Sequence, residues 1–88
     1  MASRYSYKFN KIKPIILFAF DYKCAICNHF SISNHVHHQD HNFMNNDCYN
    51  FVVLCSDCHK IAHKTRMIIN VQYTAHQEEI FNKLNSLF

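Results

Sequence analysis

Leu54-Cys55-Ser56-Asp57-Cys58-His59-Lys60-Ile61-Ala62-His63 places two residues between its cysteines and three between its histidines. The same Cys-x2-Cys spacing occurs upstream in Cys24-Ala25-Ile26-Cys27. Two intervening residues let both thiolates of a tight knuckle converge on one ion at about 2.3 Å, and two knuckles complete a tetrahedral zinc site with no open position. Such a site is structural: it stabilises the fold and does not itself catalyse. One pair alone could equally be redox-active or simply buried, but the repeated spacing points to Zn2+ held by Cys24, Cys27, Cys55 and Cys58. The remaining cysteine, Cys48, has no partner in the pattern and reads as a small apolar packing residue.

Between and beyond the knuckles the histidines are ordered. His37 and His38 are adjacent, Asn50 follows, and His59 and His63 stand at i and i+4. If residues 57–64 form a helix, capped by Ser56 or Asp57, His59 and His63 project from one face a turn apart and can reach one ion. Adjacent histidines on a strand point to opposite faces, so one can serve that ion while its neighbour faces substrate or water. An imidazole, with an ordinary pKa of about 6.5, can take a proton from water near neutral pH. A single histidine is more often a surface or packing residue. Together these suggest a second, open metal site beside a general base.

The run His37-His38-Gln39-Asp40-His41-Asn42-Phe43-Met44-Asn45-Asn46, continuing to Asn50-Phe51 and through Leu54-Cys55-Ser56-Asp57-Cys58-His59 to His63, resembles the HNH endonuclease pattern HHxDGNxxNNxxxNLxxLCxxCHxxxH with its preceding Cys-x2-Cys. The resemblance covers about residues 20–64. It implies an α+β fold: a small zinc-stabilised ββα-metal (HNH, treble-clef-like) domain with flanking helices. It also implies roles. His38 is similar to the family's general base, and His37 occupies a position that binds the catalytic ion. Asn50 matches the residue that buttresses the loop and orients the base. His59 matches the final metal ligand, and His63 resembles an extra ligand of some members. The ion would be Mg2+, Mn2+, Ni2+ or Zn2+, and the products would carry 5′-phosphate and 3′-hydroxyl ends. The pattern has glycine where this chain has His41, and leucine at Phe51. His41 must then make a turn that glycine makes easily, which histidine tolerates better than most residues; a contact to metal or phosphate is the alternative.

Farther out, residues 1–13 mix basic and aromatic side chains, as in an arm lying along a phosphate backbone or a frayed terminus. Pro14 suits the first position of a helix over residues 14–22, with Ile15, Ile16, Leu17, Phe18 and Phe20 as its apolar surface. The nuclease-like domain is expected over residues 14–66. Met67–Tyr73 reads as a strand or as an extension of the preceding helix. Thr74 and Gln77 fit a capping box opening an amphipathic helix, with Ile80, Phe81, Leu84, Leu87 and Phe88 at helical spacing as a core stripe. Residues 67–88 are expected to pack on the same domain.

Composition bounds the possibilities. The 88 residues contain no glycine, where average usage of about 7% would supply roughly six. This excludes a dinucleotide fingerprint, a P-loop, a nucleophile elbow and an EF-hand. Asparagine, which tolerates left-handed turns, is the obvious substitute, with Asp40, Asn42, Asn45 and Asn46 after the paired histidines. A chain this short buries a modest core and often needs a staple.

Arg4, Lys8, Lys11, Lys13 and Lys23 against Asp21, and later Lys60, Lys64 and Arg66, form basic flanks around a centre holding Asp40, Asp47 and Asp57. Basic flanks suit a polyanion such as DNA, or are a solvated face; Lys60, Lys64 and Arg66 are candidate phosphate clamps. The apolar run Ile15–Phe20 is too short for a membrane span or a signal peptide, so an intracellular, cytoplasmic protein with no membrane partner is expected. Without a separate reading domain, long-site specificity is hard to supply from this chain; a homodimer, a partner protein or weak specificity would each resolve that. The alternatives to a metal-dependent endonuclease are a non-catalytic zinc-stabilised nucleic-acid-binding module and a zinc-built protein-interaction domain.

Overall fold

His35–His38 (β1) and Phe51–Leu54 (β2) pair antiparallel, with His35 opposite Leu54, Val36 opposite Val53, His37 opposite Val52 and His38 opposite Phe51. Among the described residues three helices surround this sheet: α1 (Tyr7–Ala19), α2 (Ser56–Thr65) and α3 (Ala75–Leu87). A 3-10 turn, Cys48–Asn50, leads into β2. The computed structural model describes residues 7–87; residues 1–6 of the expected arm, and Phe88 of the expected core stripe, lie outside the described residues.

Residues opposed across an antiparallel pair share a face, and neighbours along each strand alternate. Val36, Phe51 and Val53 accordingly pack with Phe9, Ile12 and Ile16 of α1 and Phe81 and Leu84 of α3. Val52 and Leu54 turn the other way, into a second core with Cys24, Cys55, Cys58, Ala62 and Ile69. β2 is therefore covered on both faces and wholly buried, which explains why Phe51-Val52-Val53-Leu54 is unbroken apolar sequence, not an alternating strand. The result is a small mixed domain of helices and a two-stranded antiparallel sheet with a four-cysteine cluster on one side. Among the described residues no helix is long and apolar enough to cross a membrane.

α1 differs from the expectation. It begins by Tyr7, so residues 7–13 of the proposed arm are helical, and Pro14 lies inside the helix instead of opening it. The apolar stripe explains the extension. Phe9 and Ile12 continue the face of Ile16 back by two turns, and all three are buried. Burying each of Phe9 and Ile12 is worth roughly 1.5–3 kcal/mol, enough to offset the ~3 kcal/mol an interior proline costs. Ile15 and Phe18, counted as apolar surface in the shorter helix, face outward.

The helix ends without glycine. Tyr22 N–H donates to the Leu17 carbonyl and Asp21 N–H to that of Phe18, both at 2.9 Å. This is a Schellman ending, with Asp21 at φ 54° and Tyr22 at φ 58° in the left-handed region.

Met67–Thr74 is neither strand nor helix. Arg66, at φ 56°, stops α2. The segment then crosses the domain as a strap held by side chains. Ile69 bonds the Gln39 side-chain amide through both its N–H and its carbonyl. The Tyr73 hydroxyl donates to the carbonyls of Phe51 (2.9 Å) and Tyr49 (3.2 Å). Ile69 and Tyr73 thus tie the strap to the domain without a neighbouring strand.

α3 opens as expected. Thr74 N–H donates to Gln77 Oε1 at 2.9 Å, and Gln77 N–H donates to Thr74 Oγ1 at 3.1 Å, a reciprocal capping box. Phe81 and Leu84 are buried and Ile80 half-buried against the core, whereas Leu87 is exposed.

Candidate metal centres

The first knuckle follows α1 directly. Asn28 takes φ 64°, closing a tight turn in which Asn28 N–H reaches the Cys24 carbonyl and Cys24 N–H reaches that of His29. Ala25 N–H donates to the Val53 carbonyl at 2.8 Å, fixing the knuckle to β2. The second knuckle is the start of α2. Its cap is Cys55, not Ser56 or Asp57: the Cys55 sulfur accepts the Cys58 N–H at 3.5 Å. A sulfur here does the work that an oxygen does at most helix starts.

The ligand atoms of Cys24, Cys27, Cys55 and Cys58 all lie within 4.8 Å of one another, and the Cys27 and Cys55 sulfurs are 3.6 Å apart. Tetrahedral Zn2+ with bonds of about 2.3 Å requires sulfur separations of about 3.8 Å. Burial opposes ionisation of Cys24, but N–H donors led by Cys27 outweigh it and bring its thiol to about 6. Cys58 is pushed up by burial and by the surrounding sulfurs of Cys55, Cys24 and Cys27. Four sulfurs at this spacing cannot all ionise unless a cation sits among them. The cluster can therefore hold a structural metal ion such as zinc.

A second group of potential ligands forms where β1 faces α2. The ligand atoms of His37, His59 and His63 also lie within 4.8 Å of one another. His59 and His63 are one helical turn apart, with their Nε2 atoms 2.9 Å from each other. The His37 ring meets both edge-on, at centroid distances of 5.3 and 5.0 Å. Burial, then the imidazoles of His59, His63, His41 and His38, lower the pKa of His37 to about 4. Burial, then His63 and His35, bring His59 to about 4. Both rings are neutral at neutral pH, the form that ligates a metal. Both nitrogens of His37 are buried with no hydrogen-bond partner, at a cost of about 1–3 kcal/mol for each group left so. The donor set fits a divalent ion.

Two further histidines border this group. His35, two residues before His37 and so on the same face of β1, stacks on His59 at 4.7 Å. Strand alternation was the signal that could have found it. His41 takes φ 58°, the turn that the departure from glycine demands, and its ring stands 5.1 Å from His37 and 5.5 Å from His63.

His38 projects to the opposite face. Its ring stacks on Phe9 at 4.9 Å and meets Phe51 edge-on at 5.0 Å. Its Nε2 is 2.9 Å from Asn46 Oδ1. His37, His38, His41, His59 and His63 nevertheless line one cleft with Val36 and Phe43, of about 30 Å³, room for an ion or one or two waters. A wider hollow of about 580 Å³ lies over the thiolate knuckles, bordered by Cys27, His29, His35, Cys55 and Asp57. The small cleft is where the chemical groups converge.

The loop between the strands is built from side-chain turns. Asp40, Asn42, Asn45 and Asp47 each accept the N–H two residues ahead. Asn50 closes the loop. Its Nδ2 donates to Asp40 Oδ1 and to the Asn45 carbonyl, and its Oδ1 accepts the Asp40 N–H. The side chain bonded to the His38 ring is Asn46, not Asn50. The sequence presents Asn46 only as a turn former. Lys60, Lys64 and Arg66 are all exposed at and after the outer side of α2. The ion pair found among the described residues joins Lys83 to Glu79 instead. Cys48 is fully buried, and burial raises its thiol to about 11, in keeping with a packing role.

Comparison of the chain with protein-family models, with curated proteins and with solved structures finds no match.

Proposed function

We propose that this chain is a metal-dependent HNH endonuclease that hydrolyses DNA phosphodiester bonds. The observation that carries the reading is the paired histidines on β1: His37 enters a three-imidazole group with His59 and His63 while His38, one peptide away, borders the same cleft. His37, His59 and His63 would hold a divalent ion, which would supply Lewis-acid stabilisation of the charge that develops on the phosphate.

His38 supplies the base. Its Nε2 lies 2.9 Å from the Asn46 side-chain oxygen, which orients the ring, and the neutral imidazole would take the proton of the attacking water. Phe9 and Phe51 fix the ring plane. Asn50 acts one step back, by holding the Asp40–Asn46 loop that carries Asn46. Lys60, Lys64 and Arg66 bind flanking phosphates without reading bases. The thiolate site, loaded with zinc, anchors α2 to β2 and so sets the position of His59 and His63 relative to His37. Products would carry 5′-phosphate and 3′-hydroxyl ends.

One observation favours a second reading. His38 is only 6% exposed, as a packing histidine would be, and this suits a non-catalytic zinc-stabilised nucleic-acid-binding module. Incubation with supercoiled plasmid and Mg2+, Mn2+ or Ni2+, with and without chelator, separates the two. The nuclease reading requires metal-dependent cleavage that His38→Ala abolishes. Binding without cleavage in every metal would leave the module.

A further inference from the structure

Of the five histidines lining the cleft, His41 is the one that the proposed chemistry does not use. It holds a left-handed backbone conformation, φ 58°, with a full side chain. Its N–H donates to the His38 carbonyl at 3.0 Å, so the turn itself is satisfied by the backbone and asks nothing of the imidazole. The ring is directed inward nonetheless. Both ring nitrogens are buried with no hydrogen-bond partner, and the ring packs edge-on against His37 and His63 in their shared cleft. A turn residue with no further role would leave its imidazole in water. A phosphate ligand would need nitrogens that solvent can reach.

We propose that His41 is a fourth imidazole ligand of the histidine centre, which then takes one borderline divalent cation such as Co2+, Ni2+ or Zn2+ through His37, His41, His59 and His63. Nitrogen donors without a carboxylate select such ions over Mg2+. The inference rests on the metal-centre part of the proposed function and not on phosphodiester cleavage.

The test starts from protein with zinc in the thiolate site, shown by the absence of thiolate-to-cobalt absorption when Co2+ is added. Co2+ is then titrated into wild type, His41→Gly and His41→Asn, following visible ligand-field absorption and competition with a chelator. Glycine and asparagine both accept the left-handed turn, so thermal unfolding should show both variants at least as stable as wild type before Co2+ is added. The expected result is a loss of Co2+ affinity of about tenfold or more with a changed ligand-field spectrum in both variants. Wild-type affinity and spectrum in the two folded variants would overturn the assignment and make His41 a turn residue alone. Failure of wild type to bind Co2+ beyond the thiolate site would overturn both the assignment and the metal centre. Co2+ binding as expected with no plasmid cleavage in any metal would sink the nuclease reading while His41 stands as a ligand.

Discussion

Replacing Pro14 by alanine restores a hydrogen-bond donor in the second turn of α1, eight residues into a helix that begins by Tyr7. In an interior position proline removes the bond to the carbonyl four residues back, here that of Asn10, and its ring crowds that carbonyl, at a cost near 3 kcal/mol relative to alanine. Pro14 is exposed, so its replacement loses little packing. Part of the penalty is already relieved, because a helix can bend at proline and the Asn10 carbonyl can bond water. Pro14→Ala is therefore expected to stabilise the zinc-loaded protein by about 1–3 kcal/mol, raising Tm by roughly 4–8 °C for each kcal/mol in a domain of this size. Urea unfolding in excess zinc measures it, with an unchanged m-value showing that the gain is in stability. A proline at the first helical position would behave differently, since its missing N–H has no partner there. A neutral or destabilising Pro14→Ala would refute the interior placement and return α1 to a helix that opens at residue 14.

Other expectations follow from the two centres. Cys55→Ser removes a thiolate ligand while leaving a hydroxyl that can still cap α2; a structural zinc contributes about 10–16 kcal/mol, as much as a domain's whole stability, so the variant should be unfolded by circular dichroism. A cooperative, folded variant would count against a structural metal in the thiolate site. His37 and His59 are held neutral down to about pH 4, whereas the unfolded chain takes up those protons near pH 6.5, so the unfolded state binds more protons between these values. Stability without a second cation should fall as pH drops from about 6.5 towards 4, and His59→Ala should flatten that slope; equal slopes would contradict the buried neutral cluster. Lys60→Ala with Lys64→Ala should weaken DNA binding across all sequences and reduce the slope of log K against log salt by about 0.9 for each phosphate no longer neutralised. An unchanged slope would make these lysines a solvated face.

The four-cysteine cluster was legible in the sequence because ligand spacing is local. Cys-x2-Cys fixes a knuckle, and an i, i+4 histidine pair fixes a helix face whatever packs around it. The same holds for the Thr74–Gln77 box and for the left-handed turn at His41. What could not be read depends on partners distant in the chain. Pro14 carries the signature of a helix start, and only the sheet face that receives Phe9 and Ile12 overrides it. Met67–Tyr73 has strand composition, yet its polar partners are Gln39, Tyr49 and Phe51, which no local pattern places beside it. Asn46 and Asn50 are interchangeable as sequence; the loop path decides that Asn46 meets His38 while Asn50 braces the loop.

The left-handed residues Asp21, Tyr22, Asn28, His41 and Arg66 have a consequence for the state the protein folds from. Each stands where glycine would sit without steric penalty, and for an ordinary side chain that penalty is roughly 1–2 kcal/mol. Every one also restricts the denatured chain, by an amount that recovers about 0.4–1 kcal/mol through the entropy that folding no longer removes. A polypeptide with no glycine has fewer swivel points when unfolded. Its native turns are strained, but its random coil has fewer shapes to surrender.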